Sequence, residues 1–133
     1  MENEVVRFET AAGARKGDPL SFIVTDMLQN EHLRESSELA ELVQRRLADA
    51  HPGPDRGVKQ AGFRVLVTAF MPAVLIEVGF GTNAAEARYL ASESGQEQLA
   101  TAIAAATVEY LGRYERRVSG GGGRGARGGG GRG

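Results

Sequence analysis

The segment Ala73-Val74-Leu75-Ile76-Glu77-Val78 is almost continuously apolar, with a single carboxylate near its end. It limits the possible folds more than any other part of the chain. A run of this length suits a β-strand covered on both faces. Phe63-Arg64-Val65-Leu66-Val67 reads as a second strand. Two short strands do not make a stable sheet, and a strand buried on both faces needs neighbours along both edges. The expected fold class is therefore α/β, with only a portion of the sheet present: about two strands and three helices. Such a chain reads as the second half of a larger domain.

The helices are set by periodicity and punctuation. Asp18 followed by Pro19 is a helix-start signal, because a carboxylate accepts orphan amides and proline is tolerated in the first turn. From Leu20, apolar residues recur at three- and four-residue steps through Ile23, Val24, Met27 and Leu28, and again at Leu39, Val43 and Leu47. This predicts one helix over 20–50, ended by His51-Pro52-Gly53-Pro54. A polar loop follows over 53–62. After the Ala73–Val78 strand, Gly79-Phe80-Gly81 turns the chain. Asn83 with Glu86 makes a capping box for a short helix over 84–91, and Ser94 with Glu97 repeats the signal for a last helix over 95–116. Upstream, Val5-Val6-Arg7-Phe8 is a short apolar stretch and residues 11–19 read as a loop.

The last 14 of the 133 residues are ten Gly, three Arg and one Ala. They cannot bury apolar surface, so a disordered tail is expected over 119–133 and a folded portion over 1–118. All 17 acidic residues lie before this tail, against 13 of the 16 basic ones, so the body carries a net −4 and the tail +3. An acidic body argues against electrostatic capture of nucleic acid. The absence of cysteine excludes disulfides, thiolate metal sites and cysteine nucleophiles. No apolar run approaches the roughly 18 residues that span a bilayer. Met1-Glu2-Asn3-Glu4 has no secretory h-region, so no signal peptide is expected in the chain as it stands.

Glu77 is the leading candidate for chemistry. It lies near the carboxyl end of an apolar strand, where open α/β sheets place their sites. A buried carboxylate must be protonated, paired or facing a cation. The alternative is a structural carboxylate bonded to Lys59, Arg64 or a turn amide. The turn Gly79-Phe80-Gly81-Thr82-Asn83-Ala84 matches the dinucleotide fingerprint G-x-G-x-x-A, but Glu77 would oppose a phosphate there and no acidic strand end follows about 20 residues later. A tight glycine turn is the better reading. His32 and His51 stand 19 positions apart without a metal-binding spacing, so each is expected at a surface or helix end, and no metal ligands are assigned. Asn3, Glu4 and Glu9, and the pair Arg56 and Lys59, are expected as solvated polar clusters.

The runs Arg56-Gly57-Val58-Lys59-Gln60-Ala61 and Met71-Pro72-Ala73-Val74-Leu75-Ile76-Glu77-Val78-Gly79-Phe80, with Phe63, Val65-Leu66 and Thr82-Asn83 at their spacing, resemble the zinc-dependent N-acetylmuramoyl-L-alanine amidase family, the Amidase_3 type. Glu2-Asn3, Val5-Val6 and Glu9, the helix with Ser36, Leu39 and Ala40, and Glu86, Leu90, Gln96 and Ile103 are similar to it in the same order. The resemblance covers about residues 2–112. It implies a twisted central sheet flanked by helices and a peptidoglycan hydrolase that cuts the amide between the muramoyl lactyl group and L-alanine. It implies one catalytic Zn2+, held by two histidines and a glutamate in the N-terminal half, including those of D-P-G-H-G and S-I-H motifs absent here. The glutamate of the family's E-x-G-F motif falls on Glu77, which would be general base and acid toward the zinc-bound water and the departing amine.

The expectation is thus the C-terminal portion of an amidase catalytic domain with Glu77 catalytic, peptidoglycan as partner, and the periplasm or cell wall as the location of the whole protein. By itself the chain is expected neither to hold zinc tightly nor to turn over substrate. The alternative is a non-enzymatic module whose Arg/Gly tail binds RNA or another polyanion.

Overall fold

The computed structural model describes residues 19–121. Three helices supply their regular structure: α1 (Pro19–Ala50), α2 (Ala84–Ala91) and α3 (Glu93–Gly121). The described residues contain no strand, so the α/β expectation is overturned and the architecture is all-α. The stretch Val5–Phe8, the Asp18 cap and the Gly/Arg tail from residue 122 lie outside the described residues. α3 runs through Ser119 and Gly120 to Gly121, past the position 118 at which the tail was expected to begin.

The reason for the missing sheet is local hydrogen bonding. A strand exists only where another strand takes up its amides and carbonyls. Residues 63–67 curl instead into consecutive turns, with Leu66 N–H donating to Phe63 O at 2.9 Å and Ala69 N–H to Leu66 O at 3.0 Å. The apolar side chains of this would-be strand stay in solvent, Val65 at 69% exposure and Val67 at 63%. Residues 72–80 have no regular structure, and Leu75 is exposed.

The described chain falls into two units. The first comprises the residues up to Ala40 together with Val58–Glu77. Here the first turns of α1 are helical as their period demands, but Leu20, Ile23, Val24, Met27 and Leu28 are all exposed. The later segment is tied to α1 by two hydroxyls. Ser36 Oγ donates to His32 O at 2.7 Å and accepts from Ala73 N–H at 2.9 Å. Gln60 Nε2 donates to Ser37 Oγ at 2.9 Å.

The second unit, Glu41–Gly57 with the residues from Val78 onward, holds the buried core. Leu42, Val43 and Leu47 of α1 and Leu99, Ala102, Ala106 and Tyr110 of α3 are buried. The four-residue step from Val43 to Leu47, and the steps of three and four from Leu99 to Tyr110, put each set on one side of its helix. Burying one leucine of this kind contributes about 1.5–3 kcal/mol. Tyr89 of α2 donates its hydroxyl to Ala50 O at 3.0 Å, tying the short helix to the end of α1. The α3 start differs from expectation: Ser92, not Ser94, caps it, its Oγ accepting from Gly95 N–H at 3.0 Å. Ser92 also ends α2, so one hydroxyl serves two helices.

Arg46 of α1 donates to Glu109 Oε2 of α3 at 2.9 Å, and Arg113 to Glu109 Oε1 at 2.7 Å. The hydrogen bond from Arg46, then that from Arg113, holds the Glu109 carboxyl below the ordinary carboxylate range. A depressed carboxylate stabilises the fold above its unfolded value and loses that contribution as pH falls through the folded one. The urea midpoint should therefore drop below about pH 4.5, and Glu109→Gln should flatten that acid limb while leaving weak salt dependence at neutral pH. Ala106 is wholly buried at 0% exposure, so Ala106→Leu should overpack the core and cost about 1–3 kcal/mol in urea titrations at pH 7.

Candidate functional site

Glu77 closes the first unit, in the irregular segment between Pro72 and Phe80. Its side chain is exposed, whereas a buried carboxylate was expected. Among the described residues, neither Lys59 nor Arg64 pairs with it, and no hydrogen bond reaches it. An exposed carboxylate keeps its hydration and needs no partner.

Directly after Glu77 the chain enters the second unit and turns. Gly79 has φ +147°, a conformation that side-chain-bearing residues rarely adopt. Asn83 N–H donates to Phe80 O at 3.1 Å, closing the turn. Asn83 Oδ1 accepts from Ala85 N–H at 3.0 Å and Glu86 N–H at 3.1 Å, capping α2. Three amides at this turn and helix start, those of Asn83, Ala85 and Glu86, are thus already used. Glu86 is buried at 5% exposure, and Oε2 accepts from Phe80 N–H at 2.8 Å. In a capping box the carboxylate would reach back to the Asn83 amide; here it bonds to the turn upstream.

The loop after α1 is organised by its own polar side chains. His51 N–H donates to Leu47 O at 2.8 Å, so His51 stands at the helix end as its position predicts. Its ring is not a surface group, however. Nδ1 accepts from Gly53 N–H at 2.9 Å, the ring meets Tyr89 edge-on at 5.3 Å between centroids, and Nε2 is buried with no partner among the described residues. Asp55 Oδ1 accepts from Gln44 Nε2 and from Gly57 N–H. Arg56 places its guanidinium 4.9 Å from the Phe80 ring centroid, a cation–π contact. Arg56 is exposed, as expected of a solvated charge, and its guanidinium also lies against the ring of the turn after Glu77. The buried side of His51 and the bond made by Glu86 had no signature in spacing alone.

A catalytic zinc needs three protein ligands with an open position. Among the described residues no cluster of three His, Cys, Asp or Glu could hold a metal ion. His51 is unsuited besides. With Nδ1 accepting a backbone N–H, the neutral ring carries its proton on Nε2, the nitrogen that would have to bind metal. The described residues do not fit a zinc centre.

Comparison with known proteins gives the lineage. The family model described as N-acetylmuramoyl-L-alanine amidase (Amidase_3) matches residues 9–109, a span that includes Glu77 and Glu86. The chain belongs to the N-acetylmuramoyl-L-alanine amidase family. It is 30% identical over 108 residues to N-acetylmuramoyl-L-alanine amidase AmiA of Escherichia coli (strain K12), covering 79% of this chain and 37% of that protein. It is 43% identical over 75 residues to N-acetylmuramoyl-L-alanine amidase LytC of Bacillus subtilis (strain 168), covering 56% of this chain and 15% of that protein. It is also 40% identical over 81 residues to an uncharacterized cell wall amidase of Bacillus anthracis, covering 61% of this chain and 15% of that protein. The chain spans little more than a third, or less, of these relatives. No solved structure matches it significantly. No described helix is long and apolar enough to cross a membrane.

The two glycines of the amidase turn are not equivalent. A Cβ at Gly79 would stand 3.3 Å from Leu90 Cδ1 and 3.4 Å from Glu86 Oε2 in a strained conformation, whereas a Cβ at Gly81 would meet nothing within 4 Å. Gly79→Ala should cost about 1–3 kcal/mol and Gly81→Ala less than about 0.5 kcal/mol, both read from denaturant midpoints.

Proposed function

We propose that this chain is the C-terminal portion of the catalytic domain of a peptidoglycan amidase, and that Glu77 is its general base and acid. The observation that carries the reading is the family match, which runs through Glu77. The reaction is hydrolysis of the amide between N-acetylmuramic acid and L-alanine. Water adds to the amide carbonyl, the C–N bond breaks, and the products are a carboxylic acid and a free amine. Glu77 takes the proton from the attacking water and delivers it to the departing nitrogen, which cannot leave as an amide anion. Exposure of Glu77 suits the role, since the carboxylate must reach a polymer that approaches from solvent.

The family's zinc, on this reading, is held by residues outside 19–121, because those within do not assemble a ligand set. The location is the cell wall or periplasm, in keeping with the name of the Bacillus anthracis relative. Nothing in the comparisons favours the RNA-binding alternative, and the Gly/Arg tail on which it rests lies outside the described residues.

The test is zinc-dependent release of stem peptide from a muramoyl-peptide substrate by the longer amidase that contains this sequence. Glu77→Gln should lower kcat by about 10²–10⁴-fold with KM little changed. The 133-residue chain alone should release no peptide and retain no zinc on gel filtration. Unchanged kcat in Glu77→Gln would refute the assignment.

A further inference from the structure

Charge is unevenly shared along this chain, and the hydrolysis just proposed makes no use of the imbalance. Residues 1–112 hold 16 acidic and 10 basic residues, a net −6, whereas 113–133 hold six arginines and one glutamate, a net +5. Arg113, Arg116 and Arg117 stand on α3, and Arg124, Arg127 and Arg132 follow it in the sequence with no acidic residue among them. The helix that carries the first three outruns its core. Its buried side ends at Tyr110, and Arg46 reaches it from α1 at Glu109. Beyond that point α3 continues to Gly121, with Leu111 and every residue from Tyr114 onward exposed.

That projecting part has two chemically different sides. Leu111, Tyr114 and Val118 follow at steps of three and four, so they share one side of the helix, and all three are exposed. Leu111 lies about 100° round from Tyr110, so this side is not the one that meets the core. Arg116 and Arg117 are exposed elsewhere on the same turns, and Arg117 also lies 6.0 Å from the centre of the Tyr114 ring. A helical segment this short is marginal in water without packing. Its occupant has to suit both sides. A bare polyanion would neutralise the arginines and leave Leu111 and Val118 in water. A second copy presenting the same face would bring charges of one sign together. An anionic bilayer surface offers phosphates to the guanidinium groups and apolar depth to the other side. The exposed apolar side chains at the start of α1 lack this combination, since Asp26 and Glu31 accompany them with no lysine or arginine between Pro19 and Leu33.

We propose that α3 over 111–118 is a docking surface for an anionic lipid bilayer. The helix lies along the interface with Leu111, Tyr114 and Val118 toward the acyl chains, while Arg116 and Arg117 extend their long stems to reach headgroup phosphates. A tyrosine suits this depth because its ring is apolar and its hydroxyl polar. Arg113, bonded to Glu109, serves the fold. The three tail arginines add attraction but no apolar contact. None of this depends on Glu77 being catalytic: it concerns where the chain is held, not what it cuts.

The test is sedimentation of the 133-residue chain with vesicles of phosphatidylcholine alone, or of phosphatidylcholine and phosphatidylglycerol in equal parts. Partition onto the anionic vesicles should exceed that onto the neutral ones about 10-fold or more in dilute buffer, and the excess should vanish in about 0.5 M salt. Arg116→Gln with Arg117→Gln should lower it about 10-fold, and Leu111→Ser with Val118→Ser about 10-fold as well. These positions lie outside the core, so the urea midpoint should move little. The chain has no tryptophan, so Tyr114→Trp reports on this face alone, and its emission should shift to the blue when anionic vesicles are added. Equal partition onto neutral vesicles overturns the proposal. So does undiminished binding by the Leu111→Ser, Val118→Ser variant, which would assign the attraction to the arginines alone. A Tyr114→Trp emission already blue before lipid, in this chain at rising concentration or in the longer amidase, would mean that a second copy or the rest of the amidase covers the face, and overturns it too.

Discussion

Backbone amides and carbonyls need partners in the protein or in water, and, among the described residues, 58–80 have no ladder in which to find them. Everything distinctive about this stretch follows. Where the chain can bond to itself it coils into turns, as at Phe63 to Ala69. Elsewhere it borrows side chains: the Ser36 hydroxyl for Ala73 and the Glu86 carboxylate for Phe80. Each loan is possible because a helix holds the lender in place. Ser36 sits on α1 with its own proton given to His32 O, leaving its lone pairs for the incoming amide.

The helical part of the second unit obeys a different economy of contacts. Its buried side chains are few, and Ala102 and Ala106 fill positions that would hold larger residues in a thicker core. The polar ties around them are correspondingly specific. Glu109 receives two arginines, Tyr89 reaches Ala50 O, and Ser92 ends one helix while starting the next. A small core held by a few directional bonds keeps the ends of its helices well defined, and the loops that matter most lie at those ends.

How much of this was legible beforehand depends on whether the signal was local. A helix satisfies its amides within its own sequence, so the period from Leu20 to Leu47 and the Pro52-Gly53-Pro54 stop were enough to bound α1. Asn83 announced α2 in the same way. A strand depends on its neighbours, and Phe63–Val67 and Ala73–Val78 carry strand composition without anything to pair with among the described residues. Glu77 stands in a motif legible in the sequence, but its exposure was not legible, because the burial inferred for it came from a sheet that is absent among the described residues. The pairing of Asn83 with Glu86 was visible as a pattern while its geometry was not: the carboxylate prefers a peptide upstream of the helix. The buried edge of His51 and the stacking of Arg56 on Phe80 join residues far apart in the chain, and neither leaves a trace in spacing.

The exposed greasy side chains of α1 and of residues 65–75 have a consequence for how such a polypeptide fares in a cell. Val65, Val67, Phe70, Met71 and Leu75 offer chaperones and proteases an accessible hydrophobic stretch of the kind that marks incompletely assembled chains. The abundance of this polypeptide would then be governed less by the melting point of its helices than by the supply of whatever shields that stretch. Quality control would then remove copies whose exposed stretch never acquires a cover.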